Sequence, residues 1–197
     1  MFVPLQYQVS EYDCVPTAFM NAVSFLFERN EIPPMVIRHI YVYSLDTVGR
    51  KARLGSAGTS RHAVRLLGHW LDSYKPKGFS VTTEFYEEDD VDLGEGSPAV
   101  ACLEEGGVAL CNIHLGRGQE HYIMLIRVED GWVHCFDPYS RRSLRGLRDR
   151  VALIRDPDPH GPNLKIRVDW LAQQTEDARF CLGPISMREC LLIWRNR

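Results

Sequence analysis

The chain has 197 residues, a formal net charge of −3, 45% hydrophobic and 25% charged residues, values that suit one globular domain with a sizeable core. A near-neutral balance with a single basic cluster carries no electrostatic footprint for nucleic acid. The N-terminus Met1-Phe-Val-Pro-Leu-Gln6 has neither the basic lead of a signal peptide nor a membrane-length apolar run. The expectation is one cytoplasmic domain over residues 1–197, with no membrane partner, internal repeat or low-complexity segment.

In chain order, the stretch Gln8-Val-Ser-Glu-Tyr-Asp-Cys14 runs into a helix whose apolar positions Ala18, Phe19, Ala22, Val23 and Leu26 recur at three- and four-residue steps. Asp13 is the predicted cap and Pro16 suits the first turn, which does not need its missing N–H. Cys14 then lies where unpaired N–H groups and the positive end of the helix dipole favour a thiolate. Gln8, on an extended lead-in, is expected to fold back with its amide aimed at the same spot. Pro33-Pro34 opens a second helix through Tyr43. Thr59 is expected to cap a third, running to about Asp72 with Ala63, Leu66, Leu67 and Trp70 as its apolar stripe. The glycine loop before it makes Gly58, Thr59 and Ser60 candidates for contact with a peptide backbone, although the same residues also serve as a plain loop and cap.

The second half reads as sheet. Phe79 to Phe85 is a predicted strand, Glu87 to Asp90 an exposed acidic turn, and Ser97 caps a short helix closing near Gly106. Gly107 to His114 pairs through Gly116-Arg-Gly118 with His121 to Val128, which in turn pairs with Trp132 to Asp137. A three-residue Glu129-Asp-Gly131 loop sets Val128 opposite Trp132 and Ile123 opposite Asp137, and so brings His121 to the same face as Asp137. A two-residue Asp-Gly loop sets them on opposite faces. Arg141 to Arg150 is a basic cluster expected on the solvated surface or against an acidic partner. Residues 156–162 form a proline-rich loop, and Glu189 to Trp194 a closing strand. The class is α+β, a helical half over about 1–75 packed on an antiparallel sheet over about 76–197.

Acyl transfer by a thiol needs a nucleophile, a base, a group that orients the base and a donor for the oxyanion. Cys14, His121, Asp137 and Gln8 are the candidates for those roles in that order. Cys102, Cys111, Cys135, Cys181 and Cys190 each lie in apolar runs and read as small buried hydrophobes with reduced thiols. The pairs Cys111/His114 and His134/Cys135 fail as metal ligands, because residues one or three apart on a strand point to opposite faces. No metal or cofactor is called for.

Gln8, Asp13-Cys14, His121-Tyr122 and Asp137-Pro138 together resemble, in order and spacing, the papain-like cysteine peptidases that process bacteriocin precursors after a double-glycine leader. The resemblance covers about residues 5–140. It implies a papain-like fold, Cys14 as nucleophile, His121 as base, Asp137 as orienting acid and Gln8 as oxyanion donor, acting on a peptide or protein substrate. Asp13 and Val15 flank the thiol and join Gly58, Thr59 and Ser60 as candidates for substrate contact. Val15 replaces the small glycine usual after the nucleophile and crowds the approach to the thiol. The exporter and ATPase often fused to such domains are absent, which makes the expectation a stand-alone member. An acyltransferase using the same residues and a non-catalytic peptide-binding module are the alternatives.

Overall fold

A computed structural model describes residues 1–49, 52–147 and 149–196. Helix α1 (Cys14–Leu26) buries Val15, Ala18, Phe19, Ala22, Val23 and Leu26, as the apolar spacing predicts. Helix α2 (Pro34–Tyr43) starts on its proline and α3 (Arg61–Ser73) buries Ala63, Val64, Leu67 and Leu71. Two details of α3 differ from expectation. Its cap is Ser60, whose hydroxyl accepts from the Ala63 N–H, whereas the Thr59 hydroxyl accepts from Leu45 N–H at 2.8 Å. Leu66 is exposed, and Trp70 stacks at 3.9 Å on His39 of α2. The expected Ser97 cap opens α4 (Pro98–Glu104), accepting from the Val100 N–H.

The described strands are β1 (Val81–Glu87), β2 (Val108–Leu115), β3 (Glu120–Glu129), β4 (Trp132–Phe136), β5 (Val151–Leu153), β6 (Leu164–Arg167), β7 (Arg179–Cys181) and β8 (Glu189–Arg195), with a short helix α5 (Val168–Leu171) after β6. They form one antiparallel sheet in the order β1-β8-β2-β3-β4-β6-β5, and β7 pairs with the end of β2. The closing strand β8 therefore runs inside the sheet, between β1 and β2. Glu87, expected in an exposed turn, ends β1 and pairs with Arg61 and Arg65 of α3.

Both faces of the sheet are covered, which extends the picture of helices on one side. Phe19, Val23, Ile40 and Leu67 from α1, α2 and α3 pack on Leu110, Met124 and Leu191. On the other face Cys102 and Leu103 of α4, with Leu147 and Leu171, pack on Cys111, Ile123, Leu125 and Cys190. Strands buried on both faces lose clean alternation, which is why β2 and β3 read as nearly continuous apolar runs. All six cysteines are free, and the five other than Cys14 are buried. No helix among the described residues is long and apolar enough to cross a membrane.

The β3–β4 hairpin corrects one expectation and reaches its consequence by another route. Glu129 pairs with Trp132, so the loop has two residues, Asp130 and Gly131, both at positive φ (52° and 75°). That is the mirror-image turn an Asp-Gly pair favours, because its twist matches that of the strands. Ile126 is then an extra residue in β3. Arg127 pairs with His134, but Leu125 pairs with Cys135 and Met124 with Phe136. The bulge shifts the register by one, so the next step along the ladder sets Ile123 opposite Asp137.

Phe19 is fully buried at the centre of the α1 interface. Phe19→Ala is expected to cost about 3–5 kcal/mol, read from the urea-unfolding midpoint at constant m. A loss below about 1 kcal/mol would mean that α1 is not firmly docked on the sheet.

Candidate functional site

Cys14 is the first residue of α1, and Asp13 precedes it without capping the helix through its side chain. The Asp13 carboxylate instead accepts from the N–H groups of Val9 and Ser10 and from the Ser10 hydroxyl, at 2.8–3.0 Å. This folds the 8–13 loop back on itself. The segment before it is fixed by Asn21 of α1, which exchanges two hydrogen bonds with the Gln6 backbone. Gln8 N–H donates to the Pro138 carbonyl at 2.8 Å, so the chain entering α1 is tied directly to the residue after Asp137.

His121 and Asp137 meet as the register requires. His121 Nε2 lies 2.7 Å from Asp137 Oδ1, which leaves Nδ1 free on the other side of the ring. Burial alone pushes the imidazole down. Asp137, and after it Cys14, outweigh burial, so that His121 is pushed up to about 9 from the usual 6.5. Burial likewise pushes Asp137 up, but His121 and then Arg141 hold its carboxyl below the usual range.

Asp137 has partners that sequence reasoning missed. Its Oδ1 also accepts from Tyr139 N–H at 2.8 Å, and its Oδ2 accepts from Arg141 Nε at 2.5 Å. Asn163 grips the Asp137 backbone on both sides: its Oδ1 accepts the Asp137 N–H and its Nδ2 donates to the Asp137 carbonyl, each at 2.8 Å. Arg141 was expected on the solvated surface with its basic neighbours. Its side chain is only 13% exposed and lies against the rings of Tyr139 and Phe180, both 4.8 Å away. Arg142, Arg145 and Arg150 are exposed as expected, and Arg148 lies outside the described residues. The four-residue spacing from Asp137 to Arg141 was the one available signal for this ion pair. Asn163, beyond a proline-rich loop, offered none.

These groups open on a cleft of about 910 Å³, lined by Gln8, Cys14, Val15, His121 and Tyr122 together with Gly58, Thr59 and Ser60. Gln8 Nε2 donates to the Ser10 carbonyl at 2.6 Å and keeps its second N–H, while its buried Oε1 has no partner. Val15 is buried in the α1 core and contributes to the wall. Gly58 has φ +86° with nothing closer than 3.7 Å to a built Cβ, so it is the left-handed turn and not lack of space that requires glycine. Ser60 spends its hydroxyl and N–H on Asp46, and Thr59 its hydroxyl on Leu45. Ser60 therefore walls the cleft without offering those groups to a ligand, whereas the Thr59 hydroxyl keeps its own hydrogen to donate. Asp13 does not line it, since its carboxylate is drawn into the 8–13 loop. Among the described residues no group of three or more His, Cys, Asp or Glu side chains is placed to hold a metal ion.

Chemically, the site sets a thiol at a helix N-terminus beside an imidazole that a buried carboxylate keeps protonated to high pH. No protein-family model matches the chain, and no curated protein matches it.

Because folding raises the His121 value from 6.5 to about 9, its contribution to stability is complete below about pH 6.5 and disappears as pH rises through about 9. Wild type should lose on the order of 3 kcal/mol relative to His121→Gln across that window, read from urea unfolding at a series of pH values. A constant difference would show a neutral imidazole throughout. Deleting Ile126 makes the β3–β4 ladder continuous and turns Asp137 away from His121. The His121 titration, followed by NMR, is expected to fall by about one unit or more, whereas an unmoved titration near 9 would contradict the role given to the bulge.

Proposed function

We propose that the protein is a papain-like cysteine hydrolase that cleaves a peptide or isopeptide bond through an acyl-thioenzyme. The observation that supports this most is the His121 imidazole, held on buried Asp137 by Nε2 and lining the same cleft as Cys14. The resemblance of Gln8, Asp13-Cys14, His121-Tyr122 and Asp137-Pro138 to the double-glycine leader peptidases points the same way, toward a peptide or protein substrate. A thiol nucleophile with five further unpaired cysteines suits a reducing, cytoplasmic setting.

In this reading His121 holds the Cys14 proton and the thiolate attacks the scissile carbonyl carbon. The oxyanion takes N–H bonds from the Cys14 backbone and from the free Nε2 hydrogen of Gln8. His121 then gives its proton to the leaving nitrogen as the C–N bond breaks. A water molecule, losing a proton to His121, attacks the thioester carbonyl; the acid leaves and the proton returns to Cys14. Asp137 fixes the ring orientation and stabilises the imidazolium without itself becoming protonated. Arg141 and Asn163 keep Asp137 in place and ionised.

The test begins with the thiol. Iodoacetamide should modify Cys14 in preference to the five buried cysteines at pH 6, located by mass spectrometry, and His121→Ala should slow that reaction about ten-fold or more. On a peptide mixture Cys14→Ala should abolish cleavage and His121→Ala lower it by about 10³ or more. A Cys14 no faster than a free cysteine in both proteins, or cleavage that survives Cys14→Ala, would overturn the assignment.

A further inference from the structure

The cleft continues past Tyr122 onto a row of polar side chains that the proposed chemistry does not use. Tyr122 of β3 lies opposite Asn112 of β2, and one step beyond the Cys111–Cys190 pair Asn112 lies beside Glu189 of β8. Glu189 in turn lies opposite Glu87 of β1. All are on the sheet face that carries α1 and α3. Glu189 is 4% exposed and Asn112 5%, in a sheet whose face is otherwise apolar here. A charge in such a place is costly unless its lone pairs are taken.

They are taken on one side only. Glu189 Oε1 accepts from the Tyr122 hydroxyl at 2.5 Å and from Asn112 Nδ2 at 3.1 Å. Glu189 Oε2 has Arg61 Nε at 3.0 Å, yet without the alignment of a hydrogen bond, and it counts as a buried oxygen without a donor. Asn112 Oδ1, on the neighbouring strand, also has no donor. Both residues line the cleft that holds Cys14 and His121. Arg61 is the resident cation, but it is shared with Glu87 and its side chain is 37% exposed. Burial raises the Glu189 carboxyl, Tyr122 and Arg61 lower it, and Glu120, another residue of the cleft wall, raises it again. The groups facing Glu189 thus hold an excess of acceptors and of negative charge.

We propose that this end of the cleft is a subsite for a cationic nitrogen of the substrate, which donates to Glu189 Oε2 and Asn112 Oδ1 as Arg61 swings toward solvent. An ammonium has three N–H donors and no acceptor, and so supplies what these two oxygens lack. Arg61 can leave because its exposed stem and its second partner, Glu87, hold it at the rim. The subsite rests on the hydrolase reading for its place beside the scissile bond, and it selects peptides with a lysine or arginine side chain or with a free amino terminus near the cut.

Binding separates the two readings. Cys14→Ala protein, immobilised, is offered three mixtures of five-residue peptide amides: acetylated with one lysine at varied position, acetylated with norleucine in its place, and the norleucine set with a free amino terminus. The lysine set or the free-amine set should be retained about ten-fold or more over acetylated norleucine, and whichever is retained names the source of the cation. Glu189→Gln, added to Cys14→Ala, should erase the preference, and Arg61→Gln should strengthen it by removing the competitor. Equal retention of all three sets overturns the subsite. So does a preference that survives Glu189→Gln in a variant with the parent's unfolding midpoint. Should Glu189→Gln fail to fold, Arg61→Gln decides, because an unchanged or weaker preference there is equally fatal. Wild-type protein then receives all three sets. Capture without cleavage retires the hydrolase and keeps the subsite; cleavage of all three sets at one rate, with no preferential capture, does the reverse.

Discussion

The candidate site depends on keeping one carboxylate ionised where water cannot reach it. Asp137 is 2% exposed, a position in which an unpaired charge would cost several kcal/mol. It is accommodated because each oxygen has a charged partner, His121 on one and Arg141 on the other, with the Tyr139 N–H completing the first. Its backbone is equally constrained by the paired bonds to Asn163. The arrangement leaves Asp137 with little freedom to rotate, so the imidazole it holds is oriented before any ligand arrives. Among the described residues, losing Arg141 would leave His121 as the only cation paired with that charge, which ties the basic residue to the geometry of the site.

That carboxylate is delivered to His121 by a register. The sequence led to the right facing pair, Ile123 and Asp137, through a wrong turn length. Asp130-Gly131 is a strong signal for a two-residue turn, and it prevails in the structure. The correction lies at Ile126, and nothing local announces it. Residues 121–126 are buried without a break, so a bulge among them disturbs no alternation that a reader of the chain could see. A bulge near a functional side chain re-aims the strand while leaving the preferred turn intact. The functional constraint, that His121 and Asp137 share a face, was a better guide to the pairing beyond the bulge than the turn rule alone.

Other parts of the fold were legible in proportion to their length and periodicity. The first three helices follow from apolar spacing and their opening residues, and the long strands β1, β2, β3 and β8 from runs of β-branched, aromatic and other apolar residues. The strands β5, β6 and β7 have three or four residues each and lie among prolines, glycines and arginines. They exist because a neighbouring strand already offers its edge, a tertiary cause with no local trace. Arg141 was misplaced for a related reason. A basic run reads as solvated surface unless a buried acid is known to lie within reach. The row Tyr122–Asn112–Glu189 was invisible too, since it joins three strands that no sequence window holds together.

The Asp13 result bears most directly on the chemistry. A side-chain cap by Asp13 would have been worth about 1 kcal/mol to α1, and the helix forgoes it. The carboxylate is held instead by Val9 and Ser10, in the loop that fixes Gln8. Two consequences follow for the proposed reaction. The amide donors at the helix start are not taken by the Asp13 carboxylate, so the positive end of α1 is left for the thiolate and the oxyanion that the proposed reaction would form. The same carboxylate, by folding the 8–13 loop, sets the Gln8 amide at the wall of the cleft. One acidic residue thereby gives up a small local stabilisation of the helix and orders the loop that carries Gln8, the proposed second oxyanion donor. A residue that lies outside the cleft is in this way built into how the cleft works.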